Sequence, residues 1–174
     1  MNFMLSVQAF AILDSEGKRI LAKYYNQKRF PGLKEQTTFE NLIWSKTRRQ
    51  NGEVLMLEKL IVVYREVADT RLFLVGSAME NEIMLHTVLT TYYDAMAELL
   101  SYNVNKVTIL ENFDYALLVL DELVDGGIIL ECDASNIVSR VSMQGVDDET
   151  PTAEQSVGQA LSSAREQIAK ILIS

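Results

Sequence analysis

The sequence predicts an α+β domain built around an antiparallel sheet of five strands, with helices packed against it. The first observation is composition. Of the 174 residues, 48% are apolar and 23% are charged, the balance of a globular domain. The second is order, because strand-like and helix-like stretches follow one another as ββ-α-βββ-α-α. Blocks of this kind, rather than strict alternation, are typical of α+β domains with an antiparallel sheet.

The first two strands and the first helix are separated by turn-forming residues. Residues 3–13 are apolar and partly β-branched, and they end at Asp14-Ser15-Glu16-Gly17, a composition typical of a hairpin turn. A second strand follows over residues 19–25. Helical spacing of apolar residues begins at Thr38, and Asn51-Gly52 ends the helix. A hairpin and a helix are therefore expected to open the chain.

Three short strands then lie close together in the sequence. They cover residues 54–57, 60–66 and 71–77, and the short stretches at 58–59 and 68–70 form the turns between them. Turns this short connect antiparallel neighbours. The three strands are therefore expected to form a meander.

The part of the chain that follows the meander has a helical pattern. Apolar residues recur at steps of three and four over residues 85–99, which predicts a long helix ending near Asn103. A further helix has Asp114 as its candidate cap and Gly126-Gly127 as its stop. Residues 128–144 are compatible with either a strand or a short helix.

An acidic segment divides the chain into a domain and a tail. We assign residues 1–146 to the domain, 147–151 to an acidic linker that contains proline, and 152–174 to an amphipathic helix that begins with a capping box. Five apolar residues of this helix form a narrow seam with a period of 3.5 residues, suited to binding one partner. They are Val157, Leu161, Ala164, Ile168 and Ile171. The helix could fold back onto the domain or bind another protein, and the sequence leaves both arrangements open.

The charge of the chain argues against nucleic acid as a partner. Sixteen Lys and Arg face 24 Asp and Glu, a net charge of -8, whereas phosphate binding requires clustered cations. The only dense basic run is Lys46-Thr47-Arg48-Arg49. It is typical of the charged last turn of a helix, and the alternative interpretation is a contact with anionic lipid.

The sequence indicates a cytosolic protein. Cys132 is the only cysteine, so an internal disulfide is impossible and a reducing compartment is the simpler expectation. Residues 1–13 lack the basic leading region of a signal peptide. No run of about 18 apolar residues could span a bilayer. Any membrane contact is therefore expected to come through a partner.

The residues needed for catalysis or for binding a cofactor or metal are missing from the sequence patterns. His86 is the only histidine, and it lies within the long predicted helix. One His and one Cys cannot make a soft metal site. Asp121, Glu122 and Asp125 lack the spacing of a calcium loop, and a charged helix face explains them better. The sequence therefore predicts a protein that is not an enzyme and has no cofactor.

Apolar side chains on short elements indicate binding instead. They include Met79, Met84, Met96, Phe113, Tyr115 and Leu117, most of which we expect in the core. Two helices covering one face of a sheet leave its other face open to water or to a partner. We therefore expect one open sheet face.

A series of short motifs resembles the clathrin-adaptor small-chain family. They are GKRILAKYY at 17–25, VYRE at 63–66, NF at 112–113, VLDE at 119–122 and DGGIILE at 125–131. MENEI at 79–83 and ASNIVSRV at 134–141 are similar to the coatomer branch of that family. The similarity spans roughly residues 3–143 and leaves the linker and the last helix outside.

The resemblance implies a longin-type fold, a five-stranded antiparallel sheet sandwiched by helices. It also implies a structural role in the coat of vesicles moving between Golgi and endoplasmic reticulum, and peripheral association with Golgi membranes through the complex. The implied partner is the N-terminal trunk of a gamma-type large coatomer subunit, and no catalytic residues come with the family. The alternative is a longin-type regulatory domain of a membrane-fusion protein. That alternative expects a downstream heptad segment, and only one short helix follows the domain here.

The family resemblance also implies a pocket for acidic dileucine sorting signals. Its apolar floor corresponds to Ala68, Asn103, Val104, Val107 and Ile109. The arginine that anchors the acidic residue of the signal falls at Ile20. Loss of that charge-assisted contact costs about 1.5–3 kcal/mol. We therefore expect a pocket that persists for its shape and binds such signals weakly or not at all.

Overall fold

The computed structural model of the chain describes residues 6–50 and 53–147. The chain divides into two compact units, Met1–Val141 and Ser142–Ser174. Every strand of the described residues belongs to the first unit. The predicted linker, apart from Asp147, and the predicted helix at 152–174 lie outside the described residues.

The first unit is built on a five-stranded antiparallel sheet, which confirms the predicted fold class. The strands are β1 (Val7–Asp14), β2 (Arg19–Tyr24), β3 (Val54–Leu57), β4 (Leu60–Val67) and β5 (Thr70–Ser77). Their spatial order is β2-β1-β5-β4-β3. The β1-β2 hairpin and the β3-β4-β5 meander are present as predicted.

Five helices and a two-stranded hairpin complete the described chain. The helices are α1 (Leu33–Thr47), α2 (Glu82–Leu99), α3 (Lys106–Glu111), α4 (Phe113–Leu123) and α5 (Ala134–Asp147). The hairpin consists of β6 (Val124–Asp125) and β7 (Ile128–Ile129). The ambiguous stretch at 128–144 therefore contains a short strand followed by a helix.

Strand β1 lies inside the sheet, between β2 and β5, and both of its faces are covered. Ile12 pairs with Leu21 of β2 on one side and with Leu72 of β5 on the other. All eight residues of β1 are buried. Burial on both faces explains why this stretch reads as a nearly continuous apolar run rather than an alternating one.

The turn after β1 depends on a glycine. Gly17 has φ +81°, and a side chain at this position would meet the Trp44 ring at 2.6 Å. Only glycine combines this backbone conformation with so close an approach. The turn is thereby held against α1.

One face of the sheet packs against α2 and α4. Phe10 and Tyr92 place their ring centroids 4.6 Å apart, and the Tyr92 hydroxyl donates to the Ala116 carbonyl oxygen at 3.1 Å. Helix α2 approaches β5 closely, because a side chain on Gly76 would meet the Leu85 Cδ1 atom at 2.4 Å. Leu85 and Tyr92, at helical spacing, thus point to this core as the sequence predicts.

Helix α1 covers the other face of the sheet, so the expectation of an open face is wrong. Ile43 is fully buried, and Phe39 and Trp44 pack with it against Phe73 and Val75. The helix begins at Leu33 rather than at Thr38, after Gly32 as its cap. The sequence did not predict that α1 covers this face, because two of the three buried residues of the helix, Glu40 and Thr47, are polar.

The polar part of that buried side is Glu40. Its Oε1 atom lies 2.6 Å from Nη2 of Arg19 and accepts a hydrogen bond of 2.8 Å from the Tyr24 hydroxyl. Burial, with the Glu40 charge beside it, raises the pKa of Tyr24 well above its ordinary value, so the hydroxyl remains a donor. A buried carboxylate with these partners is compatible with a packed layer.

Candidate functional site

The two candidate catalytic residues, His86 and Cys132, lie on different elements of the described structure. His86 is partly exposed on α2, and its Nε2 atom lies 3.2 Å from a Glu53 carboxylate oxygen. Cys132 is exposed in a loop before α5. Burial, together with the neighbouring Glu131 carboxylate, raises the pKa of the Cys132 thiol, which works against a thiolate nucleophile. These contacts support a structural interpretation of His86.

Asp121 and Glu122 of α4 form ion pairs with residues of other elements. Asp121 pairs with Lys23 of β2, and Glu122 lies 3.3 Å from Nη1 of Arg140. Within residues 6–50 and 53–147, no group of three His, Cys, Asp or Glu side chains could hold a metal ion. In the same ranges no helix is long and apolar enough to cross a membrane.

The two loops at one end of the sheet meet the start of α3. The Asp69 carboxylate in the β4-β5 turn accepts a hydrogen bond of 2.8 Å from the backbone N–H of Lys106. The Lys106 ammonium in turn lies 2.8 Å from Asp14 Oδ2. Asp14 also accepts from the backbone N–H groups of Glu16 and Lys18, each at 2.9 Å. One lysine therefore ties α3 to both turns.

Opposing effects act on the Asp14 carboxyl group. Burial works to raise its pKa, but the Lys106 ammonium and the N–H groups of Lys18 and Glu16 outweigh burial and lower the pKa below its ordinary value. Hydrogen bonds to the charged form stabilise that form. Asp14 is accordingly a buried anion at neutral pH, although the sequence marks it only as a turn residue.

Backbone strain lies on both sides of this junction. Ala68 in the β4-β5 turn has φ +50°, and Ser101 and Tyr102 after α2 have φ +52° and +62°. Such conformations cost about 1–3 kcal/mol each for residues other than glycine. A capping box formed by Asn105 and Thr108 fixes the α3 start that follows.

The residues predicted to floor a dileucine-type pocket lie around this junction but differ in exposure. Val104 and Ile109 are buried in the core beside α2 and α4. Val107 is 59% exposed on α3. Ala68 adjoins Asp69, whose carboxylate binds the α3 start, and Asn103 is exposed in the preceding loop. The structure thus brings the segments together, and binding of a sorting signal there stays a prediction.

Ile20 occupies the position at which the family resemblance places the arginine that anchors a sorting signal. Ile20 is half-buried on β2 and packs against the core formed with α2 and α4. The adjacent Arg19 is held by the buried Glu40 on the opposite side of the sheet. Neither residue offers a free charge toward α3.

A cavity of about 380 Å³ opens at the same end of the sheet, on its α1 side. Its walls include Asp14, Trp44, Arg48, Ala68 and Arg71. Arg71 is nearly buried, pairs with Glu66, and donates from Nη1 to the Thr47 hydroxyl at 3.3 Å. Its guanidinium lies 5.2 Å from the centroid of the Trp44 ring. The walls are polar, so this cavity differs in chemistry from an apolar dileucine pocket.

Exposed apolar side chains gather along strand β3 and the start of α2. Val54 and Met56 are 38% and 57% exposed, and they pair with Val63 and Ile61, which face α2. Cross-strand partners share a face, so Val54 and Met56 project on the α2 side. The contact between His86 and Glu53 brings α2 to the beginning of this strand.

We call Val54, Met56, Met79 and Ile83 the edge surface. Met79 and Ile83 are 79% and 71% exposed just before and within α2. An unpaired edge strand with apolar side chains is a site where another chain can add or pack. Of these four residues, only Met79 is among the apolar residues noted from the sequence. The signal in the sequence that could have revealed the surface is the run of four apolar residues in β3, which makes both faces of this edge strand apolar.

Other apolar residues noted in the sequence divide between core and surface. Met96 is buried, and Phe113 and Tyr115 pack partly buried against the core. Met84 and Leu117 are 38% and 37% exposed. Three of the six residues are thus in or against the core and three are exposed, so the expectation that most of this set belongs to the core is not confirmed.

The family model of the clathrin adaptor complex small chain matches residues 6–148. Coatomer subunit zeta-1 of Bos taurus is 45% identical over 165 residues, which cover 95% of this chain and 92% of the relative. Coatomer subunit zeta-2 of Homo sapiens is 44% identical over 165 residues, covering 95% and 77%. Coatomer subunit zeta-1 of Oryza sativa subsp. japonica is 42% identical over 172 residues, covering 97% of each chain.

A similar solved structure is a chain in a homology model of the full-length AP-3 complex in a stretched open conformation. The TM-score is 0.65 at 17% identity, covering 85% of this chain and 98% of that chain. At this identity the likeness concerns the fold alone.

The rice alignment leaves out only about five residues of this chain, so it takes in most of residues 152–174. The family model, by contrast, ends at residue 148. The sequence led us to expect that similarity to the family ends before the linker. The family model ends close to that point, but the similarity to the rice relative continues into residues 152–174.

Proposed function

The chain belongs to the clathrin adaptor complex small chain family, and we propose that it is a non-catalytic structural subunit of the coatomer vesicle coat. The observation that carries this proposal is the similarity, over most of the chain, to coatomer zeta subunits of animals and plants. The described residues are consistent with it, since His86 is partly exposed beside a largely exposed Glu53 and the pKa of the Cys132 thiol is raised, which works against a thiolate nucleophile. We further propose transport between Golgi and endoplasmic reticulum as the process, with the protein cytoplasmic and peripheral on Golgi membranes through the complex.

The proposed direct partner is a gamma-type large coatomer subunit, bound through the edge surface. Both faces of the sheet are covered by helices, which leaves its two edge strands, β2 and β3, for a partner. Of these two, β3 is the edge with large exposed apolar side chains, Val54 and Met56. Met56 and Ile83 offer large apolar side chains there. Permanent subunit interfaces are apolar and bury upwards of about 2,000 Å² in total.

The test is affinity purification of the full chain from cytosol, followed by mass spectrometry. We expect the wild type to recover the subunits of the coat, with a gamma-type large subunit as the most abundant. The variants Met56→Asp and Ile83→Asp should lose that subunit, because each places a charge in an apolar interface. Both side chains are exposed in this chain, so its melting temperature should stay unchanged.

Leu33→Asp is the matched control, because Leu33 is 67% exposed on α1, which covers the sheet face opposite to α2. It should recover the coat like the wild type. Recovery of no coat subunit by the wild type would remove the proposed function. Recovery of membrane-fusion proteins instead would support the alternative, a regulatory domain of such a protein. Full binding by both edge variants would leave the function standing and move the interface elsewhere.

A further inference from the structure

Basic and acidic side chains are separated between the two layers that cover the sheet. Residues 18–49 contain nine Lys or Arg against two Glu, whereas residues 78–141 contain two against eleven Asp or Glu. The first stretch supplies β2 and α1, and the second supplies α2 to α4 on the opposite face. Although the whole chain has a net charge of -8, its α1 side is therefore locally positive.

Five of these cations are exposed and make no ion pair with any residue the structure describes. They are Lys28, Lys34, Lys46, Arg48 and Arg49. The remaining four are paired, including Arg19 with the buried Glu40 and Arg29 with Glu58. The unpaired cations are thus concentrated on one side of the molecule.

The outer face of α1 carries most of them. The buried positions are Glu40, Ile43 and Thr47, and the opposite side of the helix presents Lys34, Leu42 and Lys46, with exposed Arg49 just beyond the last turn. Leu42, which is 42% exposed, lies among the cations, and Leu33 is exposed at the beginning of the helix. We call Lys34, Leu42, Lys46 and Arg49 the outer row of α1.

Helix stabilisation accounts for only part of this pattern. Lys46 in the last turn and Arg48 at the C-cap interact favourably with the helix dipole. Lys34 is the second residue of the helix, where a cation is unfavourable for the same reason. Because exposed cations lie at both ends of the helix, they indicate a ligand that extends along it.

We propose that the outer row of α1 contacts the anionic headgroups of a membrane. In this fold, cations that bind a carboxylate at a fixed position are themselves held in place by several contacts, as Arg19 is beside Glu40 and Arg71 beside Glu66. The cations of the outer row are exposed and form no ion pair with a described residue, so their side chains can adjust to a mobile array of headgroups. Apolar Leu42 between them matches the boundary between headgroups and acyl chains. The acidic α2 and α4 side is repelled by the same surface, so the orientation is fixed.

The test is sedimentation of the full chain with vesicles of phosphatidylcholine alone or mixed with phosphatidylserine. We expect binding only to the mixed vesicles, weakening as salt is raised. Each removed cation should weaken binding roughly fivefold, so Lys34→Gln alone costs about fivefold and the triple change Lys34→Gln, Lys46→Gln and Arg49→Gln about a hundredfold.

The control is the triple change Lys23→Gln, Lys59→Gln and Arg140→Gln. It has the same net charge but alters β2, the β3-β4 turn and α5. It should bind mixed vesicles like the wild type, and thermal melts should show every variant folded. Equal weakening by both triple variants would assign the effect to overall charge and overturn the proposal. So would wild-type binding to polyglutamate but to neither vesicle. None of these outcomes bears on recovery of the coat, so this inference and the proposed function can fail separately.

Discussion

The Asp14 carboxylate closes the β1-β2 turn and anchors α3 through the same buried group. It accepts from two backbone N–H groups of its own turn and pairs with the Lys106 ammonium, 92 positions away in the chain. The side chain is 4% exposed, so water cannot replace these partners. Loss of the charge therefore leaves an unpaired lysine at the junction.

We predict that Asp14→Asn lowers the free energy of unfolding by roughly 1–3 kcal/mol at neutral pH. Because the folded-state pKa of Asp14 lies below its ordinary value, the stabilisation is fully present above the unfolded-state pKa of about 4. It is lost as the pH falls through the folded-state pKa. Urea unfolding at several pH values from about 7 to about 3 should show the wild type and the variant converging in acid.

Glu16→Gln serves as the control for this prediction. Glu16 pairs with Lys18 in the same turn, but both side chains are largely exposed, and such pairs contribute little. No change in unfolding free energy is expected. A constant difference between Asp14→Asn and the wild type at every pH would show that the carboxylate charge is not what stabilises the junction.

Helix α1 depends on one buried carboxylate to act as a layer of the domain. Glu40 lies among apolar side chains on the sheet side of the helix, where an isolated charge would be costly. Arg19 and Tyr24 of β2 supply the compensating contacts. The charge of Glu40 is therefore compensated only when α1 packs against β2. These contacts link the β1-β2 hairpin to the helix that covers it.

The tail is the element for which the sequence analysis left two arrangements open. We predict that residues 152–174 form an accessory docking helix rather than part of the core. Truncation after Val146 should leave the domain folded, with its melting temperature little changed, and able to bind the large subunit. The double change Leu161→Asp and Ile168→Asp should behave in the same way, because it removes the seam by which the helix would bind. Thermal melts and the affinity purification measure both properties.

The double change Ser162→Asp and Ser163→Asp is the matched control for the tail, since it adds the same charge outside the seam. It should bind like the wild type in any assay that detects docking of the helix. Unfolding of the domain, or a loss of several kcal/mol in either of the first two variants, would assign the tail to the core.

The first unit, Met1–Val141, is built on a sheet covered on both faces, with an apolar edge, a positive side and a negative side among its described residues. The edge surface and the outer row of α1 lie on different parts of this fold, so one does not exclude the other. A small coat subunit could thus bind its large partner through the edge and face a membrane with α1. This division of surfaces follows from the order of the strands and the placement of the helices.

We predict that the large-subunit trunk raises the melting temperature of the full chain. A partner that binds only the folded form contributes about 2.7 kcal/mol at 100 times Kd, which corresponds to roughly 5–10 °C for a domain of this size. Thermal melts with and without the trunk measure the shift. The shift should vanish for Ile83→Asp and persist for Leu33→Asp. Equal melting temperatures for the wild type in both conditions would contradict an obligate pair.

Local sequence patterns were sufficient for most of the elements. Strands β1 to β5 and helix α2 follow from apolar periods and turn residues that act within a few positions of one another. The motifs at residues 17–25 and 125–131 were enough to indicate the family that the comparisons confirm. The ambiguous stretch at 128–144 was not resolved, because β7 is only two residues long and shows no period.

The family and the antiparallel sheet were determined by the sequence alone, because both are encoded in short runs of residues. Only the tertiary structure decided that α1 covers the second face of the sheet, that Asp14 is a buried anion, and that β3 forms an exposed edge. Each of these depends on contacts between distant residues, such as Arg19 with Glu40 and Asp14 with Lys106. Such contacts exist only once the strand order places β1 between β2 and β5 and leaves β3 at an edge, and no local period encodes that order.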